Sequence, residues 1–168
     1  MGRKRFAPHA LEYLVAKGIN IRLVVAADQS SKDPLAGYAA ELGLPLCTKP
    51  KEIYDLIQTK KELQNIDLVI SYLFSKRIKQ PLTKLPKYGC INFHPAPLPD
   101  YKGRAGYNTA ILEQKTEYGV SAHFIDSEEF DAGPIIKVNK FPIDPDHETA
   151  FSLEAETQIE LLDLFKEV

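Results

Sequence analysis

Strand-like and helix-like segments alternate along this chain, and that alternation limits its possible folds more than any other feature of the sequence. Apolar runs typical of buried strands occur at residues 21–27, 67–71 and 89–94, and segments with helical spacing of apolar residues separate them. This order predicts an α/β fold with a mostly parallel sheet flanked by helices. Two later strands, at 119–125 and 135–141, follow each other closely, which predicts an antiparallel edge to the sheet.

Helices are predicted in the remaining segments, the last of them an amphipathic helix that begins near Thr149. The others cover residues 9–17, 34–42, 51–60, 76–84 and 105–114. Gly18 and Gly43 follow the first two of these helices, and Pro34 opens the second, as is typical of helix ends and starts. The length of 168 residues suits a single domain, residues 1–168, with a core of its own.

Composition excludes several classes of protein. The net charge of -2 gives no basic field of the kind that binds nucleic acid, so nucleic acid is not an expected partner. No apolar run reaches the roughly 20 residues that cross a membrane, and no apolar signal core follows the basic N-terminus. Cys47 and Cys90 lie far apart, without metal-site spacing and beside apolar residues, which predicts buried free thiols and no metal. We therefore expect a cytoplasmic protein.

The strand at 89–94 ends in Asn92 and His94, which share one face because side chains alternate along a strand. Each residue alone has a structural explanation, Asn92 as a strand-end residue that binds loop backbone and His94 as a core histidine. Together, before the stiff segment 95–99 with its three prolines, they favour chemistry at the carboxyl end of a strand, where α/β sheets bind ligands. A histidine can act as acid or base and an asparagine amide can donate to an oxyanion, so the pair predicts acyl transfer.

At these residues the sequence resembles the folate-dependent formyltransferases. The shared motifs are Asn-x-His, Pro-x-x-Leu-Pro-x-x-Lys-Gly, Gly-Val-Ser-x-His-x-x-Asp and Asp-x-Gly-Pro-Ile-Ile, within a match that covers roughly residues 6–166 and is densest over 67–136. The family includes glycinamide ribonucleotide, methionyl-tRNA and sugar-nucleotide formyltransferases and formyltetrahydrofolate deformylase. The resemblance implies a Rossmann-like formyltransferase fold and the transfer of a formyl group from the co-substrate 10-formyltetrahydrofolate to an amine.

The resemblance also implies a catalytic set of Asn92, His94 and Asp131. Asp131 is expected to raise the pKa of His94 and keep it charged, and to relay the amine proton. The loop 126–131 is one residue longer than we expect between its two aspartates, which leaves Asp126 as an alternative. Asp131 is preferred because the Ala-Gly-Pro that follows it matches the family better, although a loop aspartate is more often a turn former.

Two groups of ligand-binding residues are implied in the same way. The folate is expected to contact Leu73, Phe74, Ser75, Ile78, Asp126 and Phe130. The acceptor is expected to contact Pro95, Lys102, Gly103, Tyr107 and Asn108. The apolar members of the first group could equally be core residues, and Lys102 could be a solvated lysine.

The sequence departs from the family at its start, where the usual first strand and glycine-containing loop are lacking and only Gly2 matches the end of that loop. It also ends inside an apolar helix, where multidomain relatives continue. The short, non-basic stretch 26–45 argues against tRNA. Residues 104–111 and 148–165 look more like the sugar-nucleotide branch or an uncharacterised one, so a small nucleotide-linked amine is the expected acceptor. A methionyl-tRNA formyltransferase-type domain, a formyltetrahydrofolate hydrolase and a truncated, inactive domain remain alternatives, and a homo-oligomer is left open.

Overall fold

The computed structural model of the chain describes residues 6–26, 33–104 and 106–168. Its contacts cluster in two compact units, Met1–Asn92 and Phe93–Val168. The boundary falls inside one strand, so each unit contains part of that strand and is described by itself.

The described part of the first unit contains three α-helices and three complete strands. In chain order these are α1 (Ala7–Ala16), β1 (Val24–Val25), α2 (Pro34–Glu41), β2 (Leu46–Cys47), α3 (Ile53–Thr59) and β3 (Val69–Tyr72), followed by the start of β4 (Cys90–His94). Strands β1 and β2 pair in parallel, with Val24 opposite Leu46, and β3 lies next to β4. Among the residues that the structure describes, α1 precedes every strand, and Gly2 lies outside the described residues.

Local sequence signals set the ends of the first helices. Gly18 and Gly43 follow α1 and α2 with φ angles of 73° and 64°, a left-handed conformation that glycine adopts without steric cost. Asp33 precedes Pro34, and its carboxylate accepts a hydrogen bond from the backbone N–H of Leu35 at 3.0 Å. That bond satisfies one of the N–H groups that the helix itself leaves unpaired.

The helix predicted at 76–84 is wrong, because these residues form turns and irregular backbone. Pro81 explains the difference, since it has no N–H to donate and disfavours helical geometry at the residue before it. The Pro81 carbonyl instead accepts from the N–H groups of Lys84 and Leu85, which closes a turn. Strand β2 was not predicted, because two residues are too few to show a period of two.

The second unit contains the end of β4, then α4 (Gly106–Leu112), β5 (Glu117–Phe124), β6 (Ile135–Pro142) and α5 (Ala150–Glu167). Its strands lie in the order β4, β5, β6. Strands β5 and β6 pair antiparallel from Glu117 opposite Pro142 to His123 opposite Ile135, with an irregularity between Ala122 and His123. The predicted antiparallel edge is therefore confirmed.

Helix α5 supplies much of the core of the second unit. Thr149 caps it, with its hydroxyl accepting from the Ser152 N–H at 3.1 Å. The helix packs on β5 and buries Leu153, Leu161, Leu164 and Phe165, each worth about 1.5–3 kcal/mol relative to exposure. The ring of Phe165 meets that of Phe93 edge to face at 4.8 Å. This packing fixes the strand end that carries His94.

A glycine allows the start of α4 to lie against β5. A Cβ atom added to Gly106 would clash with the hydroxyl of Tyr118. Tyr118 is 1% exposed, and its hydroxyl donates to the Pro95 carbonyl oxygen at 3.1 Å. This hydrogen bond ties residues 95–99, the proline segment, to β5.

Candidate active site

His94 and Asp131 meet in the second unit, brought together by the loop between β5 and β6. Nδ1 of His94 lies 3.5 Å from Oδ1 of Asp131, and only 7% and 8% of the two side chains are exposed. Asp131 has a φ angle of 51°, a left-handed conformation that short polar side chains tolerate better than most. Asp126, the alternative in the same loop, is exposed. Of the two aspartates, Asp131 is the one whose carboxylate lies beside His94.

The other ring nitrogen of His94 fixes its tautomer. Nε2 lies 3.1 Å from the carbonyl oxygen of Tyr101. A carbonyl can only accept, so Nε2 carries a hydrogen and donates it. His94 therefore keeps one N–H donor whether its ring is neutral or charged.

His123 forms a buried cluster with His94 and Asp131. The sequence analysis did not assign His123 to the site. Its Nε2 lies 3.4 Å from Oδ1 of Asp131, and its Nδ1 lies 2.9 Å from the carbonyl oxygen of Phe124. The His123 side chain is 2% exposed, and its ring meets that of His94 in a T-shaped arrangement with centroids 6.5 Å apart. The sequence signal for His123 is its position on a buried strand two residues after Ser121, which puts both polar side chains on the same face.

The cluster needs a proton at its centre. In both histidines one nitrogen faces a backbone carbonyl, and the other faces the same oxygen of Asp131. If both rings were neutral and Asp131 were ionised, three lone pairs would point at one another in a buried space, which is costly. At least one proton is therefore shared among Oδ1 of Asp131, Nδ1 of His94 and Nε2 of His123.

The second oxygen of Asp131 is held by the backbone. The N–H of Gly103 donates to Oδ2 of Asp131 at 2.8 Å. Gly103 has a φ angle of 83°, where other residues are strained. The segment Tyr101–Gly103 thus contacts both members of the pair, through the Tyr101 carbonyl and the Gly103 N–H.

The pKa values of the pair are shifted in the same direction for different reasons. Burial alone would raise the pKa of Asp131, but His123, His94 and the Gly103 N–H together lower it. Burial also lowers the pKa of His94, and this effect outweighs the raising effects of Asp131 and the Tyr101 carbonyl. Asp131 thus raises the pKa of His94, as expected, but desolvation of the imidazolium is the larger effect and the net shift is downward.

The proline segment is anchored to β5 by a serine. The Leu98 N–H donates to Oγ of Ser121 at 2.8 Å, and that hydroxyl donates to the Ala96 carbonyl oxygen at 2.7 Å. Ser121 is fully buried, so these bonds are shielded from water. They fix the segment that follows His94.

The remaining predicted acceptor residues lie at the surface of the second unit. Pro95 and Tyr107 are half-buried, with the Tyr107 ring 5.8 Å from that of Tyr118. Lys102, Gly103 and Asn108 are exposed. Of the predicted folate residues in this unit, Phe130 is 49% exposed in the loop that carries Asp131.

The other predicted site residues belong to the first unit. Asn92 is half-buried on β4, two positions before His94. Leu73 and Ile78 are buried, and Phe74 and Ser75 are half-buried. Leu73 follows β3 with a φ angle of 52°, so the chain turns sharply where the strand ends.

The described residues hold neither a metal cluster nor a membrane-spanning helix. Within the described ranges, no group of three or more histidine, cysteine or acidic side chains is arranged to hold a metal ion. None of the described helices combines the length and hydropathy that a membrane crossing requires. Cys47 and Cys90 are buried free thiols, as predicted, and burial raises the pKa of Cys90 to about 11.

Comparison with known proteins gives a family and a fold. The model of the formyl transferase family matches residues 11–165. Among curated proteins, methionyl-tRNA formyltransferases of Thermotoga neapolitana and Lysinibacillus sphaericus are 34% and 32% identical, over 100% and 89% of this chain. These matches cover 54% and 50% of the relatives, so the chain spans about half the length of the curated relatives it matches.

Solved structures show the same fold. Phosphoribosylglycinamide formyltransferase from Bacillus halodurans superposes with a TM-score of 0.81 at 21% identity, covering 97% of this chain and 88% of that one. An N-formyltransferase from Helicobacter canadensis, in complex with folinic acid and dTDP-3-aminofucose, has a TM-score of 0.77 at 26% identity, covering 99% and 60%. These likenesses confirm the predicted α/β fold, a mostly parallel sheet flanked by helices. The names of the relatives point to different acceptors, tRNA among them, so the expectation against nucleic acid finds no support in the comparisons.

Proposed function

This chain belongs to the formyl transferase family, and from that premise we propose that it transfers a formyl group from 10-formyltetrahydrofolate to an amine. The observation that carries the proposal is the buried pair of His94 and Asp131, 3.5 Å apart at the end of β4. A general acid or base held by a carboxylate is the arrangement that acyl transfer to an amine requires.

Proton balance supports this use of the cluster. The amine nitrogen forms a bond to the formyl carbon, and the bond from that carbon to N10 of the folate breaks. The amine loses one proton and the folate nitrogen gains one, so the enzyme must hold a proton between the two events. Oδ1 of Asp131, with His94 and His123 on either side, is a buried place for that proton.

The negative charge that develops on the formyl oxygen needs donors. We assign this role to the amide of Asn92 and to the Nε2–H of His94, which must exchange its partner in this structure, the Tyr101 carbonyl, for the formyl oxygen. The tautomer of His94 keeps the Nε2–H present even in a neutral ring, so the low pKa of His94 is compatible with it. Loss of one such donor typically costs about 100- to 1,000-fold in rate.

When bound, 10-formyltetrahydrofolate supplies the formyl group, and its aromatic part needs an apolar surface. The second unit offers one beside Asp131, since Phe130 is 49% exposed and Ile135 and Ile136 are 43% and 38% exposed. The chain therefore fits this donor. Phe130 and Asp126 of the second unit are proposed to bind it. For the first unit, Leu73, Phe74, Ser75 and Ile78 stay predicted folate contacts.

For the acceptor, we propose a small amine linked to a nucleotide, bound by Pro95, Lys102, Gly103, Tyr107 and Asn108. Lys102, within the Tyr101–Gly103 segment, and Asn108, in α4, are exposed polar side chains, and the Helicobacter canadensis relative is described with such a ligand. A second candidate acceptor is methionyl-tRNA, which the identity of 34% to the Thermotoga neapolitana enzyme favours.

Turnover of 10-formyltetrahydrofolate, followed by absorbance, tests the proposal. The wild type, His94→Ala and the matched control His147→Ala, which changes an exposed histidine, are each assayed with amino-sugar nucleotides and with methionyl-tRNA. We expect acceptor-dependent turnover in the wild type and the control and its loss in His94→Ala. Acceptor-independent turnover would indicate a hydrolase, and equal turnover in all three proteins would overturn the catalytic role of His94.

A further inference from the structure

A cavity of about 680 Å³ lies in the second unit and is lined by neither His94, Asp131 nor His123. Its floor includes Tyr101 and Tyr118, whose rings lie 5.6 Å apart, and α4 contributes Gly106 and Thr109. The volume is far larger than one ion and suits a small organic molecule. Of the residues assigned to catalysis and to the acceptor, Lys102 is the one that lines this space.

Charged side chains surround the cavity, and their pairing leaves positive charge available. The lining contains four basic residues, Lys102, Arg104, Lys115 and Lys140, against three acidic ones, Asp100, Glu113 and Glu117. Two of the acids are neutralised in the wall, because Nζ of Lys140 lies 2.8 Å from Glu117 and Nζ of Lys115 lies 3.6 Å from Glu113.

Lys102 carries the argument for an anion. In the ranges that the structure describes, no carboxylate lies within ion-pair distance of its ammonium group. Lys115 and Lys140, in contrast, are positioned by their acidic partners, which limits the entropy that they lose when they bind a ligand. An anion that binds in the cavity would therefore meet Lys102, which has no acidic partner among the described residues, beside Lys115 and Lys140, which their acidic partners already position.

An aromatic surface accompanies these charges. The Tyr101 hydroxyl donates to a carboxylate oxygen of Glu113 at 3.1 Å, and its ring packs beside that of Tyr118, so its orientation is fixed. A fixed aromatic face suits a planar ring such as a base. The cations, the aromatic face and the volume of the cavity together suit a phosphate ester of the size of a nucleotide.

We propose that this cavity is a second ligand site, separate from the His94–Asp131 pair, which binds a nucleotide-sized organic phosphate. The phosphate group meets Lys102, and the planar part of the ligand lies against Tyr101. Lys102 is shared with the proposed acceptor contacts, whereas Tyr101, Lys115 and Lys140 line the cavity and are not among those contacts. Binding at the cavity does not require formyl transfer.

A ligand in the cavity is expected to affect the His94–Asp131 pair through the segment Tyr101–Gly103, which contacts both. Tyr101 and Lys102 line the cavity, while the Tyr101 carbonyl accepts from His94 and the Gly103 N–H donates to Asp131. A ligand that holds the side chains of this segment therefore also restrains the backbone groups that contact the pair.

Calorimetric titration of the full chain tests the site, with adenosine 5′-monophosphate as the probe and adenosine as the matched probe without phosphate. We expect the monophosphate to bind and adenosine to bind at least tenfold more weakly. Lys102→Ala should weaken binding of the monophosphate by about tenfold, the size of one lost charge-assisted hydrogen bond. Lys79→Ala, at an exposed lysine of the first unit, should leave it unchanged.

Equal binding of the two probes, or equal binding to the wild type and Lys102→Ala, would overturn the site. Histidine NMR signals of the wild type give an independent readout, and those of His94 should shift on addition of the monophosphate. Binding without that shift would keep the site and overturn its connection to His94. No folate is present in these measurements, so they remain decisive even if the chain shows no formyl transfer.

Discussion

Oδ1 of Asp131 and Nε2 of His123 lie 3.4 Å apart in the interior of the second unit, and the same carboxylate oxygen faces His94. Asp131 is therefore shared by two imidazoles and does not serve one histidine alone. The Gly103 N–H occupies its other oxygen, so each oxygen of the carboxylate has a polar partner. This shared position explains why the pKa of Asp131 is lowered although the group is buried.

Replacement of the two loop aspartates separates their roles. Asp131→Asn keeps an oxygen for the Gly103 N–H but cannot hold a proton between the two imidazoles. We expect a loss of about 100-fold or more in kcat/KM for formyl transfer. Asp126→Asn, at the exposed aspartate proposed to contact the folate, should act mainly by raising the KM for the folate and should change kcat by no more than a few fold. The reverse order of effects would transfer the catalytic role to Asp126.

His123→Ala tests whether the second histidine supports the fold as well as the site. The change empties a nearly fully buried position and leaves Asp131 with one imidazole, so the free energy of unfolding should fall by about 1–3 kcal/mol. Urea denaturation measures this value. His147→Ala, at an exposed histidine of the same unit, should stay within about 0.5 kcal/mol of the wild type. Equal stability of both variants would mean that the buried contacts of His123 add nothing.

Alanine substitutions at two separate glycines, Gly103 and Gly37, test the conformation of the Tyr101–Gly103 segment. Gly103 has a φ angle of 83°, so Gly103→Ala should destabilise the chain by about 1 kcal/mol and lower kcat as the N–H moves away from Asp131. Gly37 lies within α2, and a Cβ atom there would meet no neighbour within 4 Å. Gly37→Ala should therefore stabilise the chain by up to about 1 kcal/mol. Thermal unfolding gives both signs, and stabilisation by Gly103→Ala would contradict the left-handed backbone.

The stability of the chain should depend on pH through His94. Its pKa in the folded chain lies below the ordinary value of 6.5, so the unfolded chain binds more protons around that pH. The contribution of His94 is therefore complete well above pH 6.5 and is lost as the pH falls through 6.5 toward the folded pKa. Urea denaturation between pH 8 and pH 5 should show this fall in the wild type and a smaller fall in His94→Gln. Identical slopes would show that burial of His94 does not shift its titration.

Asp131 contributes in a lower pH window. Its pKa in the folded chain lies below 3.8, so its stabilising contribution is present above that value and is lost as the pH falls through the folded pKa. Asp131→Asn should remove that part of the acid sensitivity, which urea denaturation below pH 5 would measure.

Local signals made a large part of the fold predictable. Gly18, Gly43 and the Thr149 cap act through their own backbone or the next turn, so the helix ends they indicate are seen in the structure. The strand that carries Asn92 and His94 was also found, because a buried strand has an apolar run of its own. The helix predicted at 76–84 is absent, because the prediction gave the apolar spacing more weight than the effect of Pro81.

The sequence by itself determined the α/β class, the elements with a clear period and the motif residues that identify the family, because these depend on neighbours within a few positions. Only the tertiary structure decided that His123 joins the cluster, that Gly103 holds Asp131 and that burial lowers the pKa of His94. Asp131 lies 8 positions from His123 and 28 from Gly103 along the chain, so no local pattern records these contacts. They arise because β5, β6 and the proline segment pack together, and the low polarity inside that packing then sets the charge of each group.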